Sequence, residues 1–145
     1  MPDDGGQSVL LLDTTVLTYL TDDRNPKPEW DEVIQGRTIV LSFVTVGEIL
    51  HGTLRAGWSR KRIEAIEERL QRYPVIPGTI GVARKYAELR LAFFDQVGEN
   101  DLWMAACALA QPEPIDLATG DSDFDLIADK FPLVVIRPPE PSPER

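Results

Sequence analysis

The sequence is poor in the side chains that build disulfides and zinc sites. Among its 145 residues it has one cysteine, Cys107, and one histidine, His51. A single cysteine excludes an internal disulfide, so nothing indicates adaptation to an oxidising compartment. One cysteine and one histidine also cannot form a zinc site unless several carboxylates complete it.

Long apolar runs are also missing. The longest one near the N-terminus, Val9–Leu12, is far too short to span a membrane. Residues 1–4 lack the basic stretch that begins a signal peptide. We therefore expect a cytoplasmic protein with no membrane partner.

Basic residues are the minority among the charged ones. Lysine and arginine total 15 against 24 aspartates and glutamates, which gives a formal net charge of −9 at pH 7. This excess argues against binding nucleic acid through bulk charge attraction. It leaves open a small acidic site at which a metal ion makes the contact.

The chain divides into one domain and two short ends. Residues 1–7 are polar and glycine-rich and residues 137–145 are proline-rich, so we predict that both ends are disordered. Residues 8–136 are predicted to form a single domain, because 43% of the chain is hydrophobic and its length suits one core.

Short apolar runs alternate with helical patterns along this domain. Runs without polar alternation predict strands covered on both faces at residues 9–12, 38–41 and 133–136, and residues 115–118 are a fourth strand candidate. Helical spacing of apolar residues predicts helices at residues 43–54, 63–70, 80–94 and 102–109, with Ser42 as the N-cap of the first. The alternation predicts an α/β sandwich with a parallel sheet.

Four carboxylates occupy positions that suggest chemistry. Asp13 and Asp121 follow two predicted strands, and the carboxyl ends of parallel strands share one edge of a sheet. Glu48 interrupts an apolar helical stretch, and Asp101 opens the most apolar helix. Hard oxygen ligands suit Mg²⁺ or Mn²⁺, and clustered carboxylates need a cation to stay ionised together. The pattern is typical of a metal-dependent phosphodiesterase.

Each acid also has a purely structural interpretation. Asp101 suits the N-terminus of a helix, and Asp121 could be the N-cap of a short helix. Asp13 could belong to a turn, and Glu48 could be a solvated position at a helix edge. Spacing alone leaves both interpretations open.

Four segments in order resemble the motifs of a PIN domain, and closely those of the VapC-type toxins of bacterial toxin–antitoxin pairs. They are LLDTTVL at 11–17, SFVTVGEILHG at 42–52, ENDLWMAA at 99–106 and ATGDSDF at 118–124. The resemblance extends from about residue 9 to residue 136, which is nearly the whole chain.

The resemblance implies both a fold and an activity. The fold is a PIN-domain sandwich with a parallel sheet of about five strands flanked by helices. The activity is that of a metal-dependent endoribonuclease, a toxin that hydrolyses RNA phosphodiester bonds with metal-activated water. Mg²⁺ is the implied cofactor, with Mn²⁺ as an alternative. The alternative function is a catalytically inactive PIN-like module that binds an antitoxin or RNA without cleaving it.

The resemblance also assigns roles to individual residues. The implied catalytic residues are Asp13, Glu48, Asp101 and Asp121. Asp13, Asp101 and Asp121 are the implied metal ligands, with Glu48 and Asp123 as further candidates. Asp13 and Asp101 would hold the metal most directly, whereas Glu48 and Asp121 would position water. Thr14 and Thr119 would support the acids by hydrogen bonding, although a role in capping the backbone stays open.

The implied partners are an RNA substrate and a cognate antitoxin, in a homodimer or a toxin–antitoxin hetero-oligomer. A basic stretch at residues 55–72 could guide RNA phosphates, or it could be a solvated helix face paired with its own glutamates. Candidate residues for a hydrophobic groove that receives an antitoxin helix, each of which also fits a plain core, are Leu17, Tyr19, Leu20, Ile49, Leu54 and Trp58.

Two other families with acidic Mg²⁺ sites fit less well. A haloacid-dehalogenase-type phosphatase needs a second aspartate two residues after the first, where this chain has Thr15. A receiver domain needs a lysine late in the chain, and the only late lysine, Lys130, lies in a helix-like segment.

Overall fold

A parallel sheet forms the centre of the domain in the computed structural model, which describes residues 8–22 and 24–139. Its strands are β1 Val9–Leu12, β2 Thr38–Ser42, β3 Val75–Ile76, β4 Asp116–Ala118 and β5 Val135–Ile136. They are ordered β3-β2-β1-β4-β5, and every pairing is parallel. The predicted parallel α/β fold is confirmed.

Helices cover both faces of this sheet. They are α1 Thr14–Thr21, α2 Pro28–Ile34, α3 Phe43–Arg55, α4 Arg60–Leu70, α5 Ile80–Phe93, α6 Glu99–Leu109 and α7 Asp123–Ala128. Side-chain caps define several starts: the Ser42 hydroxyl, for example, accepts a hydrogen bond from the Thr45 amide at 3.1 Å. Among the described residues, no helix combines the length and apolar character needed to cross a bilayer.

Two hydrophobic clusters explain why the central strands show no polar alternation. Leu11 and Leu117 pack into the cluster on one side of the sheet, whereas Leu10 and Leu12 pack into the cluster on the other side. All four side chains are fully buried. Helix α6 contributes most to the first cluster, since it is buried from Met104 to Leu109. Its predicted central place is therefore confirmed.

The structure contains elements that the sequence patterns did not predict. Strand β3 has only two residues, too few for a periodic signal. Helix α1 reads TTVLTYLT, and its threonines and valine have low intrinsic helix propensity. Two predicted strands are shorter than expected, because 115–118 begins at Asp116 and 133–136 begins at Val135.

The body of the domain extends at least one residue past the predicted boundary at 136. The Arg137 guanidinium donates hydrogen bonds to both carboxylate oxygens of Asp125, at 3.1 and 3.0 Å. Its Nε donates to the Thr119 carbonyl at 3.2 Å. A side chain that the sequence assigns to the tail thus ties α7 to the end of β4. Residues 1–7 and 140–145 of the predicted disordered ends lie outside the described residues.

Replacing Arg137 with alanine should lower the free energy of unfolding by about 1 kcal/mol, because a bidentate, half-buried ion pair is lost. Urea unfolding of the two proteins measures this difference. Arg24→Ala is the matched control, since Arg24 is 93% exposed in its pair with Asp22 and its loss should cost less than about 0.5 kcal/mol. Equal losses in both variants would contradict the proposed anchoring role.

Candidate functional site

The candidate site lies where the order of the strands reverses. From β1 the chain continues to β2 and β3 on one side of the sheet and later adds β4 and β5 on the other. In open α/β sheets, ligands bind in the crevice outside the carboxyl ends of the strands at such a reversal. Asp13 follows β1 directly, and Thr119 follows β4.

Asp13 is a buried carboxylate that serves both as a helix cap and as part of the site. Its side chain is the N-cap of α1, and Oδ1 accepts a hydrogen bond from the Val16 amide at 2.8 Å. Oδ2 accepts a hydrogen bond from the Thr119 hydroxyl. Burial raises the pKa of Asp13, since the charged form loses water, whereas these two hydrogen bonds act in the opposite direction. Asp13 is therefore the N-cap of α1 and not a turn residue, and its capping role is compatible with the predicted role in the site.

Three aspartates converge beside Asp13. Asp101 lies in the first turn of α6, Asp121 lies in the loop after β4, and Asp123 is the first residue of α7. One carboxylate oxygen from each lies within 4.8 Å of the others. The sequence left open whether Asp121 or Asp123 faces this point, and in the structure both of them do.

The loop after β4 is shaped by its own hydrogen bonds. The Asp121 amide donates to the Thr119 hydroxyl oxygen at 3.1 Å, and the Asp123 amide donates to Oδ1 of Asp121 at 2.9 Å. The N-cap residue of α7 is Ser122 rather than Asp121, although Asp121 does accept a bond from the first turn of that helix. Thr119 thus links Asp13 to this loop by hydrogen bonds.

Glu48 projects from α3 toward the same place. Its carboxylate accepts a hydrogen bond from the Thr14 hydroxyl and another from the Asn100 amide nitrogen at 3.1 Å. The hydroxyl oxygen of Thr45, which is fully buried, lies 3.3 Å from that of Thr14. Glu48 is therefore held on both of its oxygens. Sequence reasoning missed Asn100, because an asparagine before an aspartate carries no signal of its own.

The four predicted catalytic acids line one cavity of about 340 Å³. Its lining residues are Asp13, Thr14, Thr15, Tyr19, Glu48, Asp101, Met104, Gly120 and Asp121. None of these is basic, so no described lysine or arginine of the lining balances the acids. Burial, together with the charges of Asp121, Asp123, Glu48 and Asp13, raises the pKa of Asp101 to about 6.

This donor set fits a hard divalent cation. Mg²⁺ and Mn²⁺ prefer carboxylate oxygens, and the cluster offers several on separate structural elements. A cation would also offset the repulsion that raises the pKa of Asp101. The arrangement can therefore hold a metal ion at the carboxyl edge of the sheet, open to a ligand through the cavity.

The residues predicted to form a groove for an antitoxin helix differ in how deeply they are buried. Leu17, Tyr19, Leu20 and Ile49 pack in or against the hydrophobic cluster on the α1 side of the sheet. Leu54 is not a core residue, since 68% of it is exposed.

Basic residues of the stretch at 55–72 contact acidic and aromatic side chains of the same stretch. Arg60 forms an exposed ion pair with Glu64 at 3.3 Å, as expected for a solvated helix face. The Arg62 guanidinium lies 3.8 Å from the centre of the Trp58 ring, in a cation–π contact. These contacts agree with the structural interpretation of this stretch.

Comparisons with known proteins assign the family. The chain matches the PIN domain over residues 10–130, so it belongs to the PIN-domain family. It is 30% identical over 108 residues to ribonuclease VapC1 of Haemophilus influenzae strain R2866, covering 70% of this chain and 80% of that relative.

Solved structures are similar over almost the whole chain. VapBC-1 from nontypeable Haemophilus influenzae has a TM-score of 0.71 at 28% identity, covering 89% of this chain and 97% of that chain. VapBC-5 from Mycobacterium tuberculosis, of the VapBC family of toxin–antitoxin systems, has a TM-score of 0.65 at 25% identity, with coverages of 90% and 98%. VapBC2 from Rickettsia felis, bound to a DNA fragment from its promoter, has a TM-score of 0.68 at 20% identity over 90% of this chain and 99% of that chain, and supports the fold alone.

Asp101→Asn should stabilise the protein in EDTA at pH 7.5 by about 1 to 2 kcal/mol, because it removes a charge that burial and the neighbouring acids both disfavour. The raised pKa means that the folded state binds more protons than the unfolded state between pH 3.8 and about 6. The free energy of unfolding of the metal-free wild type should therefore fall as the pH rises through this interval. Urea unfolding from pH 4 to 8 measures it.

The control for this titration is Asp95→Asn, which removes one exposed charge in the turn after α5. This variant should keep the pH dependence of the wild type, whereas Asp101→Asn should lose the part that Asp101 contributes and keep that of Asp13, whose pKa burial also raises. An Asp101→Asn protein with the stability and pH profile of the wild type would show that neither burial nor the neighbouring acids disfavour the charge of Asp101.

Proposed function

We propose that this PIN domain is a metal-dependent endoribonuclease and the toxin of a toxin–antitoxin pair. The observation that carries the proposal is the convergence of acids from four separate segments at the reversal of the sheet, with three carboxylate oxygens within 4.8 Å of one another. The similarity to a relative named ribonuclease VapC1 supports the same activity. The proposed substrate is RNA.

The proposed metal is Mg²⁺, with Mn²⁺ as the alternative that suits the same oxygens. Asp101, Asp121 and Asp123 would hold it through the oxygens that converge, with Asp13 at the buried end of the cavity. A bound divalent cation of this kind lowers the pKa of water and stabilises negative charge on a phosphoryl oxygen. The proposed metal ligands include Asp123, which the resemblance gives only as a further candidate.

The chain's own groups would orient the reaction. Thr119 and the Val16 amide hold both oxygens of Asp13, so this carboxylate does not need to reorganise when substrate binds. Thr14 and Asn100 hold Glu48 in the same way. Glu48 would position the attacking water and accept its proton. The water oxygen would then bond to phosphorus as the bond to the 3′-oxygen breaks, and the 3′-oxygen would take a proton from solvent, which leaves 5′-phosphate and 3′-hydroxyl ends.

The proposed protein partner is a cognate antitoxin, in a toxin–antitoxin hetero-oligomer that can contain a toxin homodimer. Similar solved structures are described as VapBC toxin–antitoxin complexes. The face beside α1 offers an apolar cavity of about 50 Å³ that includes Leu17 and Ile49, two residues of the predicted groove. An amphipathic helix of the antitoxin could place apolar side chains there.

The purified chain should cleave single-stranded RNA in Mg²⁺ or Mn²⁺ and lose this activity in EDTA. Asp101→Asn should reduce the cleavage rate at least a hundredfold, because one ligand of the proposed cation loses its charge. Asp13→Asn should have a similar effect. Gel analysis of 5′-labelled RNA gives both the rates and the cleavage positions.

Asp95→Asn, prepared in parallel, should keep the wild-type rate, which would show that the loss in Asp101→Asn depends on its position. The loss in Asp101→Asn would itself exclude a contaminating nuclease as the source of cleavage. RNA cleavage that persists in Asp101→Asn or in EDTA would refute the proposed mechanism. A folded wild type that binds Mn²⁺ but cleaves none of several structured RNAs would favour the inactive PIN-like module.

Expression of the wild-type chain alone in a bacterial host should arrest growth, because uninhibited RNA cleavage depletes an essential RNA. Asp13→Asn at equal expression should permit growth. Colony counts after induction, with protein levels measured by immunoblot, test the toxin assignment. Equal growth of both strains while the purified wild type still cleaves RNA would separate nuclease activity from toxicity.

A further inference from the structure

A second cavity lies beside the acidic one, on the other side of Glu48. It has a volume of about 390 Å³ and is lined by Phe43, Val44, Gly47, Glu48, His51, Asn100 and Trp103. We call it the aromatic pocket. Its size falls in the range of small-ligand sites, about 300 to 1,000 Å³. Nothing in the mechanism above uses its aromatic side chains.

Helix geometry explains why the two cavities are neighbours. Consecutive residues of an α-helix point about 100° apart, whereas residues three apart share a face. On α6, Asp101 and Met104 line the acidic cavity, and Asn100 and Trp103 line the aromatic pocket. Glu48 on α3 lines both cavities. A ligand in the aromatic pocket would therefore lie next to a phosphate held at the acids.

The aromatic walls of the pocket are held in place. The Trp103 ring stacks on Tyr86 with centroids 3.8 Å apart and an angle of 7° between the planes. The Tyr86 hydroxyl donates a hydrogen bond to Glu99 at 2.7 Å, and Glu99 also accepts one from Arg90 at 3.1 Å. This chain of contacts fixes one wall of the pocket before any ligand arrives.

Phe43 lines the pocket next to Trp103. It meets the Trp103 ring edge-on at 6.0 Å and lies so close to Gly78 that an added Cβ there would stand 3.2 Å from its ring. Phe43 is still 37% exposed, so its ring is accessible to a ligand. Between Phe43 and His51 on the same face of α3 lies Gly47, where no atom lies within 4 Å of an added Cβ beyond the helix backbone. Glycine therefore leaves the floor of the pocket open.

We propose that the aromatic pocket binds one unpaired nucleobase of the RNA substrate, next to the scissile phosphate. The inference rests on the proposed nuclease function. A base suits this pocket better than a phosphate does, because the shared wall is the carboxylate of Glu48 and the chain carries a net charge of −9. A neutral base can stack on fixed aromatic rings without charge repulsion, and unpaired RNA bases are commonly recognised in this way.

Gly47→Leu tests the pocket without touching the acids. Leucine would fill the floor of the pocket, and it has a higher helix propensity than glycine, so the variant should fold. Gly52→Leu is the matched control: it makes the same change in the same helix, about 140° around its axis, at a site that is equally open and does not line the pocket. Melting temperatures with and without Mn²⁺ check folding and metal binding in both.

The decisive comparison uses an RNA cleaved at one position and copies of it that each carry one abasic nucleotide near that position. In the wild type, one abasic position should slow cleavage about tenfold, since base–aromatic stacking is lost. Gly47→Leu should slow cleavage of the intact RNA to a similar extent, and the same abasic position should slow it no further. Gly52→Leu should behave as the wild type with every RNA.

Several results would overturn the inference. Cleavage of every RNA by Gly47→Leu at the wild-type rate would do so, and so would losses from the two changes that multiply at every abasic position. Loss of antitoxin binding with unchanged RNA cleavage would assign the pocket to the protein partner instead. If Gly47→Leu does not fold, Phe43→Leu replaces it, because this change removes an aromatic wall at a partly exposed site.

A wild type that cleaves no RNA would refute the proposed function, and a binding measurement then decides the pocket separately. Fluorescence anisotropy compares the labelled intact and abasic RNAs in Mg²⁺ with the wild type and both glycine variants. Binding that is weakened by Gly47→Leu and by one abasic position, without further loss when they are combined, would support a base pocket in a non-cleaving protein. Equal binding, or none, would overturn the pocket as well.

Discussion

The parallel pairing of β1 with β4 determines where the functional groups meet. Its register aligns Leu12 with Ala118, and the Asp13 amide continues the ladder by donating to the Ala118 carbonyl at 3.1 Å. The next side chains, Asp13 and Thr119, therefore emerge side by side and hydrogen-bond each other. A slip of one residue would separate Asp13 from Thr119 and break this contact. The register of β1 against β4 therefore sets the geometry of the site.

The acids at this edge oppose the stability of the fold, and the apolar part of α6 offsets them. The pKa of Asp101 is raised to about 6 from 3.8, which corresponds to about 3 kcal/mol at most in favour of its neutral form. The same helix has seven buried residues, and burying one leucine or methionine contributes about 1.5 to 3 kcal/mol. The helix can therefore hold a repelled carboxylate in place, and a bound cation would turn much of this repulsion into attraction.

Much of the fold could be predicted from the sequence because the strong signals were in the most buried elements. Strands β1 and β2 and helix α6 are apolar without alternation, since other elements cover them on both faces. Short or atypical elements such as β3 and α1 gave no such signal. The position of Arg137 depends on its tertiary contacts with Asp125 and Thr119, which no local pattern reveals.

The residues of the candidate site also differ in how far the sequence alone could predict them. The order of the strands brings together the residues that follow β1 and β4, so Asp13 and Asp121 were accessible to prediction. Whether Asp123 joins them depends on the hydrogen-bonded loop after β4, and spacing does not determine its conformation. Asn100 acquires its role only because α3 lies beside α6 and presents Glu48 to it.

Asn100 and Asp101 are consecutive residues of α6, yet one lines the aromatic pocket and the other lines the acidic cavity. Asp101 faces the acids, where charge decides what can bind, and Asn100 faces the aromatic rings, where shape and stacking decide. Changes on the aromatic side, at Gly47 or His51, leave the hydrogen bonds that hold Asp13 untouched. Changes on the acidic side alter the charge on which cation binding depends. With the proposed base pocket, a PIN domain of this kind would change the RNA that it recognises while it keeps the same arrangement of carboxylates, because only Glu48 lines both cavities.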